Sequence, residues 1–159
     1  MINKIRDRLL MIAERRPFDF CVGPRHNPSM KRWYVIPRNR VLNIYLHHVR
    51  RDDPDKELHD HPWHSVSWLL EGRLREVTFA EDWSERGQWI EAGAVVFRTA
   101  SLAHRLEVAD GGAWTLFITG PRFREWGFWC LDGKLPRLLH WEKFTKPGER
   151  GVVGRGCGE

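Results

Sequence analysis

The sequence is poor in cysteine, tyrosine and lysine: three Cys, two Tyr and six Lys among 159 residues. Its cysteines, Cys21, Cys130 and Cys157, are odd in number, far apart and without CxxC spacing. That excludes a cysteine-rich zinc site. It predicts unpaired thiols in a reducing, cytoplasmic setting, with Cys157 a free thiol in the tail. No run of 18 apolar residues is present, so no membrane-spanning helix and no membrane partner are expected. The opening MINKIRDRLLMIAERRPF breaks its apolar stretches with charge and lacks a small-residue cleavage site, so it does not read as a signal peptide. No P-loop lysine motif, GxGxxG, GxSxG or HExxH occurs. P-loop hydrolysis, Rossmann cofactor binding, serine-hydrolase chemistry and zincin chemistry lose support accordingly.

What is abundant is arginine and tryptophan. There are 20 Arg and nine Trp, and the net charge is +5. Arginine favours planar, bidentate contact with phosphate or carboxylate. Two readings stay open: an Arg- and Trp-rich core and surface, or an anionic partner, including a nucleotide or nucleic acid, that stacks on aromatic faces.

Along the chain, Ile2, Ile5, Leu9 and Ile12 recur at helical spacing over residues 2–14, and Pro17 ends the pattern. Four prolines mark 17–38 as loop with one short strand, WYVI. From Val41 short β-like runs follow: VLNIYLHHV, HSVSWLLE, RLREVTF, QWIEA, AVVFR, HRLEV and AWTLFIT. Glu71-Gly72 reads as a hairpin turn. Short strands at this spacing predict an all-β sandwich or barrel. Three segments result: an N-terminal helix and extension (1–40), a β domain (41–145) and a glycine-rich tail (146–159) that reads as extended or mobile.

The informative stretch is His59-Asp60-His61-Pro62-Trp63-His64. Histidines at i and i+2 on a strand share a face, so two imidazoles can meet one divalent ion. HxH also occurs as plain surface histidine. His64 falls on the opposite face by alternation, unless a bulge at Pro62 turns it inward as a ligand or acid/base group. Asp60 faces away and is either a carboxylate behind a ligand or half of a salt bridge. Of His47 and His48, one must point inward.

These residues resemble the cupin superfamily. His59, His61 and Gly72 fall in register with its first motif, with Ser65 at the position of the usual Glu. Gly93 and His104 fall in register with its second. The string from HDHPW through TGPRFREWGFW to HWEKF resembles small cupin-like proteins of bacteria and their phages. The resemblance implies a single-domain jelly-roll barrel behind the short helix. It also implies His59, His61 and His104 as ligands of Fe(II) or Zn(II), with Ser65 beside an open coordination position. It suits an Fe(II) dioxygenase-type oxidoreductase acting on a small anionic substrate, with isomerase or hydrolase chemistry as variants. The competing reading is a non-catalytic cupin module that binds an anionic small molecule, nucleotide or nucleic acid. A homodimer is compatible with both.

Candidate substrate contacts are Arg98, which follows the apolar run AVVF, and Arg122, Arg124 and Trp126 in the aromatic segment 119–129. Arginine beside aromatic rings clamps an oxyanion while a ring stacks. The plain alternatives pair Arg122 or Arg124 with Glu125 and leave Arg98 on an exposed strand face.

Overall fold

The computed structural model describes residues 2–131, 135–149 and 152–158. Two six-stranded antiparallel sheets carry the architecture. The first has the order β1 (Phe20–Val22), β2 (Met30–Tyr34), β3 (Asn43–Val49), β10 (Ala113–Thr119), β5 (Ser65–Glu71), β8 (Val95–Arg98). The second has the order β12 (Pro136–His140), β11 (Gly127–Leu131), β4 (Leu58–His59), β9 (His104–Val108), β6 (Arg73–Phe79), β7 (Glu85–Glu91). Among the described strands no ladder joins the sheets. The all-β expectation therefore holds as two facing sheets, and the single closed barrel is not what the hydrogen bonds make.

Alternation decides which side chains enter the space between the sheets. On the first sheet Val49, Leu69 and Ala113 meet Leu74 and Ile90 of the second, with Met30, Leu106 and Val108 packed around them. This apolar cluster fixes parity for every strand it touches. On β3 the inward set is Asn43, Tyr45, His47 and Val49; on β6 it is Leu74, Glu76 and Thr78.

Helix α1 (Ile2–Arg15) covers the outer face of the first sheet. Leu9, Leu10, Ile12 and Ala13 pack on Trp33, Leu46 and Leu70. Ile5, expected on the same apolar stripe, is 46% exposed.

Gly72 is not a hairpin turn. β5 pairs with β10 and β8, whereas β6 pairs with β7 and β9, so this one residue carries the chain from sheet to sheet. It does so at φ 81°, and a Cβ there would lie 2.2 Å from the Gly112 carbonyl oxygen. Gly72→Ala is expected to destabilise the fold by on the order of 2–4 kcal/mol, read as an earlier urea midpoint.

The tail is docked. Helix α2 (Trp141–Phe144) packs Phe144 against Phe128 and Cys130, and a bridge pairs Thr145 with Val153. Gly154 and Gly156 both donate their N–H to the Phe144 carbonyl. Cys157 is disulfide-bonded to Cys130 across a separation of 27 residues, with Cα atoms 5.5 Å apart. This corrects the expectation of unpaired thiols and a free tail, and with it the cysteine argument for a reducing cytoplasm. Only Cys21 remains a free thiol. Residues 150, 151 and 159 of the expected tail lie outside the described residues.

Candidate metal centre

The second sheet builds the site. His59 on β4 pairs in register with His104 on β9, so both imidazoles leave the same face side by side. His61 follows two residues after His59, just beyond the strand end. One ligand nitrogen from each of the three lies within 4.8 Å of the others, a spacing one ion bridges. His61 Nε2 and His104 Nε2 are 2.9 Å apart. Two nitrogens at ~2.05 Å from one ion and at right angles lie about 2.9 Å apart; tetrahedral ligands lie about 3.3 Å apart. The observed separation, which is also hydrogen-bond distance between the two rings, is close to both.

Support behind the rings is uneven: His104 has a hydrogen-bonded partner, whereas His59 Nδ1 is buried without one. His104 Nδ1 donates to Glu76 Oε1 at 2.6 Å, which leaves Nε2 with its lone pair for an ion. Arg98 Nε donates to the same carboxylate oxygen at 2.5 Å, and Arg98 Nη1 donates to Ser67 Oγ at 3.1 Å. Burial alone would raise the Glu76 carboxyl. Its hydrogen bond from His104 and the Arg98 charge outweigh that and hold it at about 2. On the other side, Asp55 Oδ2 lies 3.7 Å from His59 Nδ1, and burial pushes the Asp55 carboxyl up to about 6. Burial drives His61 well below the ordinary histidine range, assisted by its histidine neighbours and the Arg98 and Arg32 charges. Burial also lowers His104, although Glu76 opposes it. Neutral imidazoles are the ligating form.

Asp60 is wholly buried and forms a salt bridge to Arg124 at 2.8 Å; it also accepts from the Gly127 N–H at 2.9 Å. The same Arg124 nitrogen donates to the carbonyls of His61 and Ala100. Arg124 therefore pins the segment that carries His61. Arg122 is exposed and bidentate to Glu125, at 2.7 Å to each oxygen. Arg98 is 4% exposed and spans the two sheets. Trp126 lines the centre: its ring is 6.3 Å from His61 and 5.8 Å from Trp141, nearly parallel to both. His64 lies outside the cluster. It is exposed, its Nδ1 accepts from the Ala100 N–H, and Phe123 packs on it at 4.9 Å. Ser65 is buried, and its hydroxyl has no protein partner. Its cross-strand neighbour Thr119 has an equally unpaired hydroxyl.

No protein-family model and no curated protein matches the sequence. Solved structures do. A crystal structure titled FeII HppE aligns over 67% of this chain and 57% of its own, at 17% identity and TM-score 0.53. The same protein with bound substrate gives TM-score 0.52. The fold is cupin-like. The oxalate decarboxylase of Bacillus subtilis at pH 4.6 aligns over 60% of this chain at 18% identity, with TM-score 0.46. The cupin-like chain spans only about a quarter of that protein, 26%, and little more than half of HppE.

Within this cupin-like frame, Glu76, Asp55 and Arg32 were not singled out in the sequence. Glu76 carried a readable signal. It shares parity with Leu74, and a carboxylate on the apolar face of a strand needs a buried partner.

Proposed function

We propose that the chain is a metal-dependent enzyme of the cupin type, an Fe(II) oxidoreductase of the dioxygenase class acting on a small anionic substrate. The supporting observation is the His59, His61, His104 cluster, with its 2.9 Å nitrogen pair and a carboxylate behind His104. Three imidazoles and, among the described residues, no carboxylate in the cluster, Ser65 standing where one would be, leave coordination positions for substrate. A ferrous ion in this site would supply one-electron chemistry with O2 and polarise a substrate oxygen. The protein's own part is positioning and exclusion. Glu76 holds the His104 tautomer, Arg124 and Asp60 hold the His61 segment, and Trp126 and Phe128 pack against the cluster's rings. The likeness to FeII HppE supports the fold only; iron here rests on the donor set of three imidazoles.

Elemental analysis of the chain purified without a histidine tag tests this. About one ion per chain is expected, falling below ~0.1 in a folded His104→Gln variant. Iron leads to oxygen-consumption assays; zinc redirects the chemistry to hydrolysis or isomerisation. A folded chain that neither carries nor takes up Fe, Mn, Ni or Zn overturns the proposal.

A further inference from the structure

The arginines singled out for substrate binding are already neutralised. Arg98 is paired with Glu76, Arg122 with Glu125 and Arg124 with Asp60. Arg32 is not. It sits on β2 with the parity of Met30, which packs in the cluster between the sheets, so its side chain enters the same space. Its Nε donates to His47 Nε2 at 2.8 Å. Its guanidinium carbon lies 4.6 Å from the Tyr45 ring centre and 5.0 Å from that of Phe20. All three contacts are neutral. Among the described residues no carboxylate lies within ion-pair distance of it.

Arg32 is half-buried, and a partly desolvated cation without a counter-charge is costly. Burial brings Arg32 down to about 10, which still leaves it charged at neutral pH. Among the described residues its two terminal nitrogens have no hydrogen-bond partner, and they are not among the sealed, unpaired atoms, so they remain open to the space around them. That space is shared with the centre: Arg32 has the parity of Met30 and His104 that of Leu106, and both apolar residues pack in the one cluster between the sheets. His47 is itself held between Tyr45 and Phe117, at 5.9 and 5.0 Å between ring centres. Because its Nε2 accepts from Arg32, the neutral ring carries its proton on Nδ1. His47 thus orients a planar two-nitrogen fork, the geometry that grips an oxyanion at two oxygens.

We propose that Arg32, oriented by His47, is the anion subsite of the centre and holds the carboxylate or phosphoryl oxyanion of the small molecule whose other end meets the three histidines. The proposal rests on the reading of those histidines as a metal site, and it replaces Arg98, Arg122 and Arg124 as the groups that recognise the anion.

The test titrates the metal-loaded chain with inorganic phosphate and, separately, acetate, read by calorimetry and by the rise in melting temperature. Saturable binding of one or both is expected, and the stronger of the two identifies the oxyanion. Arg32→Met should weaken it by roughly 10- to 150-fold. In anion-free buffer this variant should melt no lower than the native chain, because an uncompensated charge is gone. Arg32→Lys, which keeps the charge without the fork, should weaken binding by about tenfold and serves if Arg32→Met does not fold. Native affinity in either variant overturns the proposal, as does the absence of binding in the native chain. Metal content of the same samples separates the two readings. Oxyanion binding that needs Arg32 in a native chain that neither carries nor takes up metal supports the subsite while the metal reading falls. Retained metal without oxyanion binding overturns the subsite alone.

Discussion

Glu76→Ala is expected to destabilise the chain by about 3–5 kcal/mol, because it removes one partner from a buried charged group and leaves the other. Arg98 is 4% exposed and would keep only the Ser67 hydroxyl. His104 would lose the acceptor that fixes its tautomer. Two effects are therefore combined, and they can be separated. A double variant, Glu76→Met with Arg98→Met, removes both charges and should recover most of the stability, since well-packed apolar replacements of a buried pair are often neutral. It should not recover the metal, because the support behind His104 is still missing; loss of such a partner typically costs roughly 10- to 100-fold in metal affinity. Urea unfolding with an unchanged slope measures the first effect, and metal content after dialysis the second. A Glu76→Ala protein within about 1 kcal/mol of the native chain would sink the account of this bridge as the link between the two sheets.

How much of this was legible in the sequence depends on range. His59, His61 and His104 could be placed together because the motif spacing survives, and the structure does bring them within 4.8 Å. The strands could be read because each alternates over a full run; AWTLFIT is β10 residue for residue. What could not be read is which sheet a strand joins. RLREVTF follows HSVSWLLE with a single glycine between, which reads as a hairpin until pairing shows β6 on the opposite sheet.

The arginines failed for a related reason. Arginine and tryptophan crowded in 119–129 look like a clamp, yet a carboxylate 64 residues away, Asp60, already occupies Arg124. Charge pairing at that separation leaves no local pattern. Arg32 looked like an ordinary strand residue, because nothing nearby in sequence shows that its inward neighbours are Tyr45 and His47 rather than an acid. Its missing counter-charge is visible only once the sheet is assembled.

Opening the Cys130–Cys157 bond is expected to lower stability by about 3–4 kcal/mol, the chain-entropy value for a loop of this length. The spacing argument missed the bond because its connectivity is set by the tail's return, not by neighbouring cysteines. Cys130 is fully buried on β11 beside Phe128, whose ring lies 3.8 Å from Phe144 and 5.6 Å from His59. The bond therefore anchors the tail on the strand that walls the metal centre. Cys157→Ser should unfold at lower urea, with its metal stoichiometry intact, since no ligand is lost. Native protein treated with dithiothreitol should fall to the same midpoint, whereas Cys157→Ser should ignore the reagent. The tail is held besides by the Thr145–Val153 bridge and the two N–H groups on the Phe144 carbonyl, so the fold should survive reduction. Three titratable thiols in the unreduced, unfolded chain, together with a midpoint indifferent to reductant, would show that the bond does not form. A reductant-sensitive midpoint would show that the bond forms and contributes to the fold.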